Sequence, residues 1–155
     1  MINNPTPVDV HVTAKRRLPW HGWLFALTII FIYINGAWDF VNTMTVNVEY
    51  MQSKGFASGA EAYFTDYPII FMLLFAINIL SAILAAFLLL WRSKWTEYAA
   101  LIALVSMMIQ EICTFTFRDR WNALGSFVGI FDLFLLGITA TFYAYCVIMR
   151  RKVSR

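Results

Sequence analysis

The amino-acid sequence predicts an all-α integral membrane protein, a bundle of four transmembrane helices with both termini in the cytoplasm. The first observation is composition: 61% of the 155 residues are hydrophobic and only 14% are charged. A soluble domain is about half apolar and about one quarter charged. The second observation is that the apolar residues form four runs, each long enough for the roughly 20 helical residues that cross a bilayer. Because lipid cannot hydrogen-bond to the backbone, these runs are expected to be helices.

The predicted elements follow one another within one domain, residues 18–150. The four transmembrane helices are expected at about 20–41, 68–91, 95–117 and 122–149. Residues 1–17 are expected to form a disordered cytoplasmic tail, and residues 151–155 a basic cytoplasmic tail. The tight turns WRSKW and FRDRW predict that helices two, three and four are antiparallel neighbours.

The first outer loop, from Asn42 to Tyr67, is longer than these turns. Within it, Ser58 and Glu61 have the spacing of a capping box. This spacing predicts a short helix over residues 59–65, lying at the outer surface.

Basic residues give the predicted orientation. Nine of them would lie on one side of the membrane: Lys15, Arg16, Arg17, Arg92, Lys94, Arg150, Arg151, Lys152 and Arg155. The other side would hold Lys54, Arg118 and Arg120, with Trp38, Tyr63, Tyr67 and Trp121 as interface aromatics. Cytoplasmic loops carry an excess of Lys and Arg, so both termini are expected in the cytoplasm. The net charge of +3 is therefore interpreted as a topology signal, and no nucleic-acid partner is expected.

Polar side chains inside the predicted helices are the candidate site. They are Asn35, Asp39, Asn42, Asn78, Gln110, Glu111 and Asp132. A charge at mid-bilayer costs about 2.5–3.5 kcal/mol, so such groups usually face protein or water. Asn35, Asp39 and Asn42 follow helical spacing and predict one stripe. Turned inward with the others, this stripe predicts a polar cluster in the outer half of the bundle.

Each of these residues also has a structural interpretation. The amides can connect helices, at about 0.6–2 kcal/mol per contact. Asp39 can form an ion pair with Arg118 or Arg120 at the outer turn. Glu111 and Asp132 have no basic residue predicted at their depth, so they are expected either to relay protons or cations or to hydrogen-bond as neutral acids. The spacing of Gly125 and Gly129 predicts close helix packing in the fourth helix.

Several kinds of chemistry are disfavoured by the residues present. The two histidines, His11 and His21, lie in the tail and at the inner interface, which disfavours haem. Cys113 and Cys146 are predicted near opposite membrane faces, too far apart for a disulfide. No glycine-rich phosphate loop and no Ser-His-acid set at one depth is present. No catalytic residue, metal or cofactor is expected.

Two runs carry a resemblance: GAWDFVNTMTVNVEYM at the end of helix one, and AYFTDYPIIFMLLFAINILSAILAAFLLLWRSKW through helix two. Together they resemble a family of small uncharacterised bacterial inner-membrane proteins with four helices, some of which are labelled sugar transporters. The resemblance covers about Trp20 to Met149 and is strongest through helix two. It implies the four-helix fold and the bacterial inner membrane as the location.

Three functions are compatible with these observations. Small size and the lack of a catalytic set favour a non-catalytic accessory or assembly protein that contacts the lipid bilayer and a membrane protein partner. The polar cluster and the resemblance favour, as an alternative, a small-solute transporter, with sugars as one candidate class of solute. One copy of four helices is small for alternating access, so a transporter would act as a homodimer. A lipid- or quinone-linked membrane enzyme is the second alternative.

Overall fold

The structure is a computed structural model that describes residues 18–153, with side chains through Arg151. The whole predicted N-terminal tail, residues 1–17, lies outside the described residues, and so do the last two residues of the predicted basic tail. Within residues 18–153 the chain forms seven helices and no strand. They are α1 (Trp20–Met44), α2 (Val48–Ser53), α3 (Ala60–Thr65), α4 (Ile69–Leu90), α5 (Thr96–Phe117), α6 (Arg120–Leu124) and α7 (Ser126–Val153).

Four of these helices, α1, α4, α5 and α7, are long and apolar enough to cross a membrane. This confirms the all-helical fold with four candidate spans. Their outer faces carry large exposed apolar side chains, such as Phe31, Leu80 and Ile112. Such faces are stable against lipid but not against water.

The long helices pack in the order α1, α4, α5, α7. The α4–α5 pair is the most extensive, and small side chains allow its close approach. Six buried alanines from the two helices belong to one apolar cluster: Ala82, Ala85, Ala86, Ala99, Ala100 and Ala103. The four-helix arrangement is therefore built around the closely packed pair of α4 and α5.

Side chains connect α1 to α7 in the half of the bundle nearer the chain termini, called here the terminal half. The Phe25 ring lies 5.4 Å from the Phe142 ring and 5.3 Å from the Tyr145 ring, measured between centroids. The Tyr33 hydroxyl hydrogen-bonds to Thr139 Oγ1 at 2.5 Å. The opposite half, which contains α2, α3 and α6, is called the loop half, and there a cavity separates α1 from α7.

The short helices close the loop half with a second apolar cluster. It contains Met51, Ala60, Tyr63, Phe64, Leu124 and Val128. The predicted capping box of Ser58 and Glu61 does not form, because α3 begins one residue later, with Gly59 as its N-cap and no side-chain cap. A Cβ at Gly59 would lie 3.0 Å from the Ala123 carbonyl oxygen, so only glycine fits this contact without displacement.

The fourth predicted helix, 122–149, is wrong at its start. Gly125 has φ +95° and separates α6 from α7, which begins at Ser126. A Cβ at Gly129 would lie 2.7 Å from the Trp121 ring, so α6 packs directly against the first turn of α7. As a result Asp132 is the seventh residue of its helix, two turns from the start. The first helix is also longer than predicted and ends at Met44 rather than at residue 41.

Candidate functional site

A cavity of about 320 Å³ lies in the loop half, enclosed by α1, α4, α5 and α7. Its polar lining residues are Tyr33, Asp39, Thr43, Lys54, Asn78, Gln110, Glu111, Arg120 and Asp132. Its apolar lining residues include Ile32, Phe56, Phe64, Phe75, Ile79, Met107, Phe127, Val128, Phe131 and Leu135. The cavity therefore combines a wall of apolar and aromatic side chains with a cluster of charged and amide groups.

A buried guanidinium and two carboxylates are the strongest electrostatic feature of the cavity. Arg120 Nε donates a hydrogen bond to Asp132 Oδ2 at 2.8 Å and lies 3.9 Å from Glu111 Oε2. All three residues are more than nine-tenths buried. Burial acts to lower the pKa of Arg120, but the charges of Asp132 and Glu111 outweigh it and raise the pKa above its ordinary value. The guanidinium is therefore a permanent positive charge in this cluster.

This arrangement corrects the prediction that no basic residue shares the depth of Glu111 and Asp132. The correction follows from Gly125, whose positive φ turns α6 back against the neighbouring helices. Arg120 belongs to α6, and its long side chain reaches inward to the first two turns of α7. A residue that counted as an outer topology signal is in fact 6% exposed.

Glu111 differs from Asp132 in its hydrogen bonding. Asp132 accepts the hydrogen bond of Arg120 Nε, whereas Glu111 Oε2 has no hydrogen-bond partner among the described residues. An uncompensated buried carboxylate is costly, because no water replaces its lost hydration. Glu111 Oε2 is therefore a buried carboxylate oxygen that accepts no hydrogen bond within the described residues.

Two tyrosines with buried hydroxyl groups lie near the charged cluster. The hydroxyls of Tyr63 and Tyr67 also have no hydrogen-bond partner among the described residues. Burial, together with the nearby Tyr63 and Glu111, raises the pKa of Tyr67 to about 12, although Arg120 acts in the opposite direction. The Tyr67 hydroxyl therefore stays protonated near neutral pH and can donate a hydrogen bond. The sequence analysis interpreted these residues only as interface aromatics.

The second outer arginine, Arg118, holds these tyrosines in place. Its guanidinium lies 4.7 Å from the Tyr63 ring centroid and 5.4 Å from that of Tyr67. It also donates to the carbonyl oxygens of Tyr63, at 2.8 Å, and Asp66, at 3.1 Å. Its role is thus to fasten the α3 segment to the end of α5.

Asp39 is bonded to α2 and not to an arginine. The Tyr50 hydroxyl donates a hydrogen bond to Asp39 Oδ1. Burial, and then the hydrogen bond and negative charge of Asp39, raise the pKa of Tyr50 above its ordinary value. The predicted ion pair of Asp39 with Arg118 or Arg120 is wrong, because both guanidinium groups are directed to other acceptors.

The four predicted amides have different environments. Asn78 donates to the Ala103 carbonyl at 2.8 Å and so connects α4 to α5, and Gln110 is buried beside the cavity. Asn42 is buried but donates to the Trp38 carbonyl at 2.8 Å, within its own helix. Asn35 is exposed and donates to the Phe31 carbonyl, so the predicted stripe does not turn wholly inward.

Five of the seven predicted site residues line the cavity: Asp39, Asn78, Gln110, Glu111 and Asp132. Asn35 and Asn42 are not among its lining residues. In residues 18–153 no three His, Cys, Asp or Glu side chains come together as metal ligands. The cavity can thus bind a ligand through carboxylates, amides, tyrosine hydroxyls and aromatic rings. Compared with protein-family models, curated proteins and solved structures, the chain has no match.

Proposed function

We propose that this chain is a multi-pass membrane protein that binds and carries a small, largely apolar ligand in the cavity between α1 and α7. The observation that supports the proposal is the cavity itself. Its volume of about 320 Å³ is that of a small-molecule site. Its mostly apolar wall converges on a few polar groups, which is the usual composition of such sites.

The lining indicates a lateral entrance from the lipid. Phe127 and Phe131 line the cavity and are also 68% and 45% exposed, so they do not seal the α7 side of the cavity. Gly36, on the facing wall of α1, has no atom within 4 Å of an added Cβ. A ligand dissolved in the hydrocarbon could therefore reach the cavity between α1 and α7 without passing through the short helices.

The orientation proposed from the sequence is supported by the environment of the loop-half cations. Arg120 is buried in the cavity and Arg118 is bonded to backbone carbonyls, while Lys54 is exposed. Because Arg118 and Arg120 are bonded within the protein, they oppose translocation of the loop half across the membrane less than unpaired cations would. We accordingly place the termini in the cytoplasm, the cavity in the outer leaflet, and the protein in the bacterial inner membrane.

The proposal is tested by thermal unfolding in lipid nanodiscs against a panel of amphiphilic amines, quinones, sugars and simple cations. A ligand at about 100 times its Kd stabilises the folded state by about 2.7 kcal/mol. Gly36→Phe places a ring in the cavity and is expected to abolish the shift produced by the binding ligand. Gly137→Phe is the matched control, because Gly137 is also helical and uncrowded but is not a cavity residue.

Two outcomes would contradict the proposal. One is that no compound in the panel raises the unfolding temperature. The other is that Gly36→Phe and Gly137→Phe respond equally to every compound. A shift for quinones alone would favour the quinone-linked interpretation of the same cavity. The accessory role expected from the sequence stays a prediction, and loss of a co-purified partner on alteration of residues 42–67 would support it.

A further inference from the structure

We propose that the ligand of this cavity is an apolar organic cation, and that Glu111 binds its positive charge in exchange for a proton. This inference depends on the proposed function, because it assigns a ligand class to the same cavity. It is carried by three features: the balance of charges, the free acceptor on Glu111, and the aromatic wall.

The charged side chains that line the cavity include one carboxylate more than the number of cations. Three carboxylates line the cavity, and the two cationic side chains that line it are Arg120 and Lys54. Lys54 is exposed and lies 5.5 Å from the Tyr50 ring centroid, so it is placed at the edge of the cavity. Arg120 Nε gives its hydrogen bond to Asp132. Only Glu111 then lacks a close donor.

Glu111 Oε2 is both buried and unsatisfied. The residue is 6% exposed, and its closest cation, Arg120 Nε, is 3.9 Å away, beyond hydrogen-bonding distance. Because Arg120 is shared with Asp132, an ionised Glu111 has only part of a counter-charge, and neutralising it stabilises the site. A bound cation or a bound proton can supply that neutralisation, and the two exclude each other.

The wall of the cavity suits the rest of such a ligand. Six aromatic side chains line it: Tyr33, Phe56, Phe64, Phe75, Phe127 and Phe131. The face of an aromatic ring attracts a cation within about 6 Å of its centroid. An anionic ligand would add charge to an acid-rich site, and a neutral one would leave Glu111 without a counter-charge.

Binding is therefore an exchange reaction. The neutral acid of Glu111 loses its proton to water as the organic cation enters, so a carboxylate–cation pair replaces the carboxylic acid. Charge is conserved, with one positive charge bound and one released. The charges of Asp132 in α7 and Arg120 in α6 act on Glu111, and Glu111 acts in turn on Tyr67, which precedes α4. The same cavity is also lined by Asp39 and Tyr33 of α1, Lys54 after α2 and the amide of Asn78 of α4. Lowering the pH should weaken binding, because protons compete for Glu111.

The test compares benzyltrimethylammonium with neopentylbenzene, its neutral isostere, by titration calorimetry on the full chain in nanodiscs. The cation is expected to bind at least about tenfold more tightly, because its charge is attracted to the carboxylate and to the aromatic faces, although its nitrogen has no N–H to donate. Its fixed charge means that any pH dependence comes from the protein. Titration in two buffers of different ionisation enthalpy should show proton release on binding.

The variants assign the effect to one carboxylate. Glu111→Gln is expected to remove the preference for the cation together with its pH dependence. Glu97→Gln is the matched control, because Glu97 lies on the same helix but is paired with Arg150 in the terminal half. If Glu111→Gln does not fold, the isostere comparison and proton release in the natural chain still decide the question.

The outcomes separate the two proposals. If neopentylbenzene binds as tightly as the cation, and Gly36→Phe abolishes this binding, the cation inference is overturned and the cavity proposal stays intact. Unchanged cation binding in Glu111→Gln would also overturn it. If Gly36→Phe changes the binding of neither probe and of no compound in the panel, both proposals fail.

Discussion

The buried arginine gives the most quantitative prediction about stability. Arg120 Nε lies 2.8 Å from Asp132 and 3.9 Å from Glu111, and its side chain is 7% exposed. At an effective dielectric constant of about 20, unit charges at the 2.8 Å separation of Arg120 and Asp132 attract by about 6 kcal/mol, and Glu111, a neutral acid before a cation binds, adds little to that sum. Recovered hydration of the guanidinium offsets part of this sum. Arg120→Gln is therefore expected to destabilise the fold by about 3–5 kcal/mol, the usual cost of leaving buried charges unpaired.

The assay is thermal unfolding in nanodiscs, where this loss corresponds to a fall of about 6–20 °C for a chain of this size. Arg120→Lys retains a charge without the planar geometry and is expected to lose less. The double variant Arg120→Gln/Asp132→Asn should recover at least about 1.5 kcal/mol relative to additivity. A fall below about 2 °C, or additive losses in the double variant, would refute the reasoning.

Three further predictions concern packing and titration. Gly129→Ala places a methyl group 2.7 Å from the Trp121 ring and should lower the free energy of unfolding by about 1–3 kcal/mol. The control Gly137→Ala meets no atom within 4 Å and should be neutral or stabilising. Equal unfolding temperatures for the two variants would contradict the α6–α7 packing. Tyr33→Phe removes the 2.5 Å hydrogen bond between α1 and α7 and should cost about 1 kcal/mol, measured in the same way. Asp39→Asn should lower the raised pKa of Tyr50, read from phenolate absorbance against Tyr50→Phe, and an unchanged pKa would contradict the hydrogen bond. Because the folded-state pKa is raised, Tyr50 stabilises the fold below about pH 10, and that contribution should be lost as the pH rises further.

The helical spans were accessible to sequence analysis because hydropathy and length determine them directly. The third predicted helix, 95–117, begins within one residue of α5 (Thr96–Phe117). The fourth helix was misplaced at its start because Gly125 was interpreted as a packing residue. A glycine in a helix-compatible sequence can equally adopt a positive φ, and periodicity does not distinguish the two.

The acidic residues of the candidate site could be predicted from the sequence, but the buried arginine that forms the counter-charge could not. Asp39, Glu111 and Asp132 stood out because carboxylates are rare within apolar runs. Arg120 did not, because it lies in a short turn, and the turn gave no indication that its side chain points inward. The partner of Asp39 was missed for a related reason, since Tyr50 reaches it only after α2 folds back on α1.

Asn35 shows the limit of helical spacing as a guide. Its spacing from Asp39 places both residues on one side of α1, yet Asn35 is exposed while Asp39 lines the cavity. Spacing determines which residues share a face, but neighbouring helices determine which part of that face is covered. In the loop half α1 faces a cavity rather than α7, and this could not be read from the sequence.

The central claim, an accessible acid-rich cavity between α1 and α7, is tested most directly by cysteine labelling. Cys113 and Cys146 would first be replaced by alanine, and single cysteines introduced as Gly36→Cys and Gly137→Cys. Methanethiosulfonates react with the thiolate, which forms in a hydrated cavity but not in hydrocarbon. We expect the cysteine at position 36 to react at least about tenfold faster with the trimethylammonioethyl reagent than with the sulfonatoethyl reagent, and the cysteine at position 137 to react with neither. Equal lack of reaction at the two positions, or faster labelling of position 36 by the anionic reagent, would contradict the account.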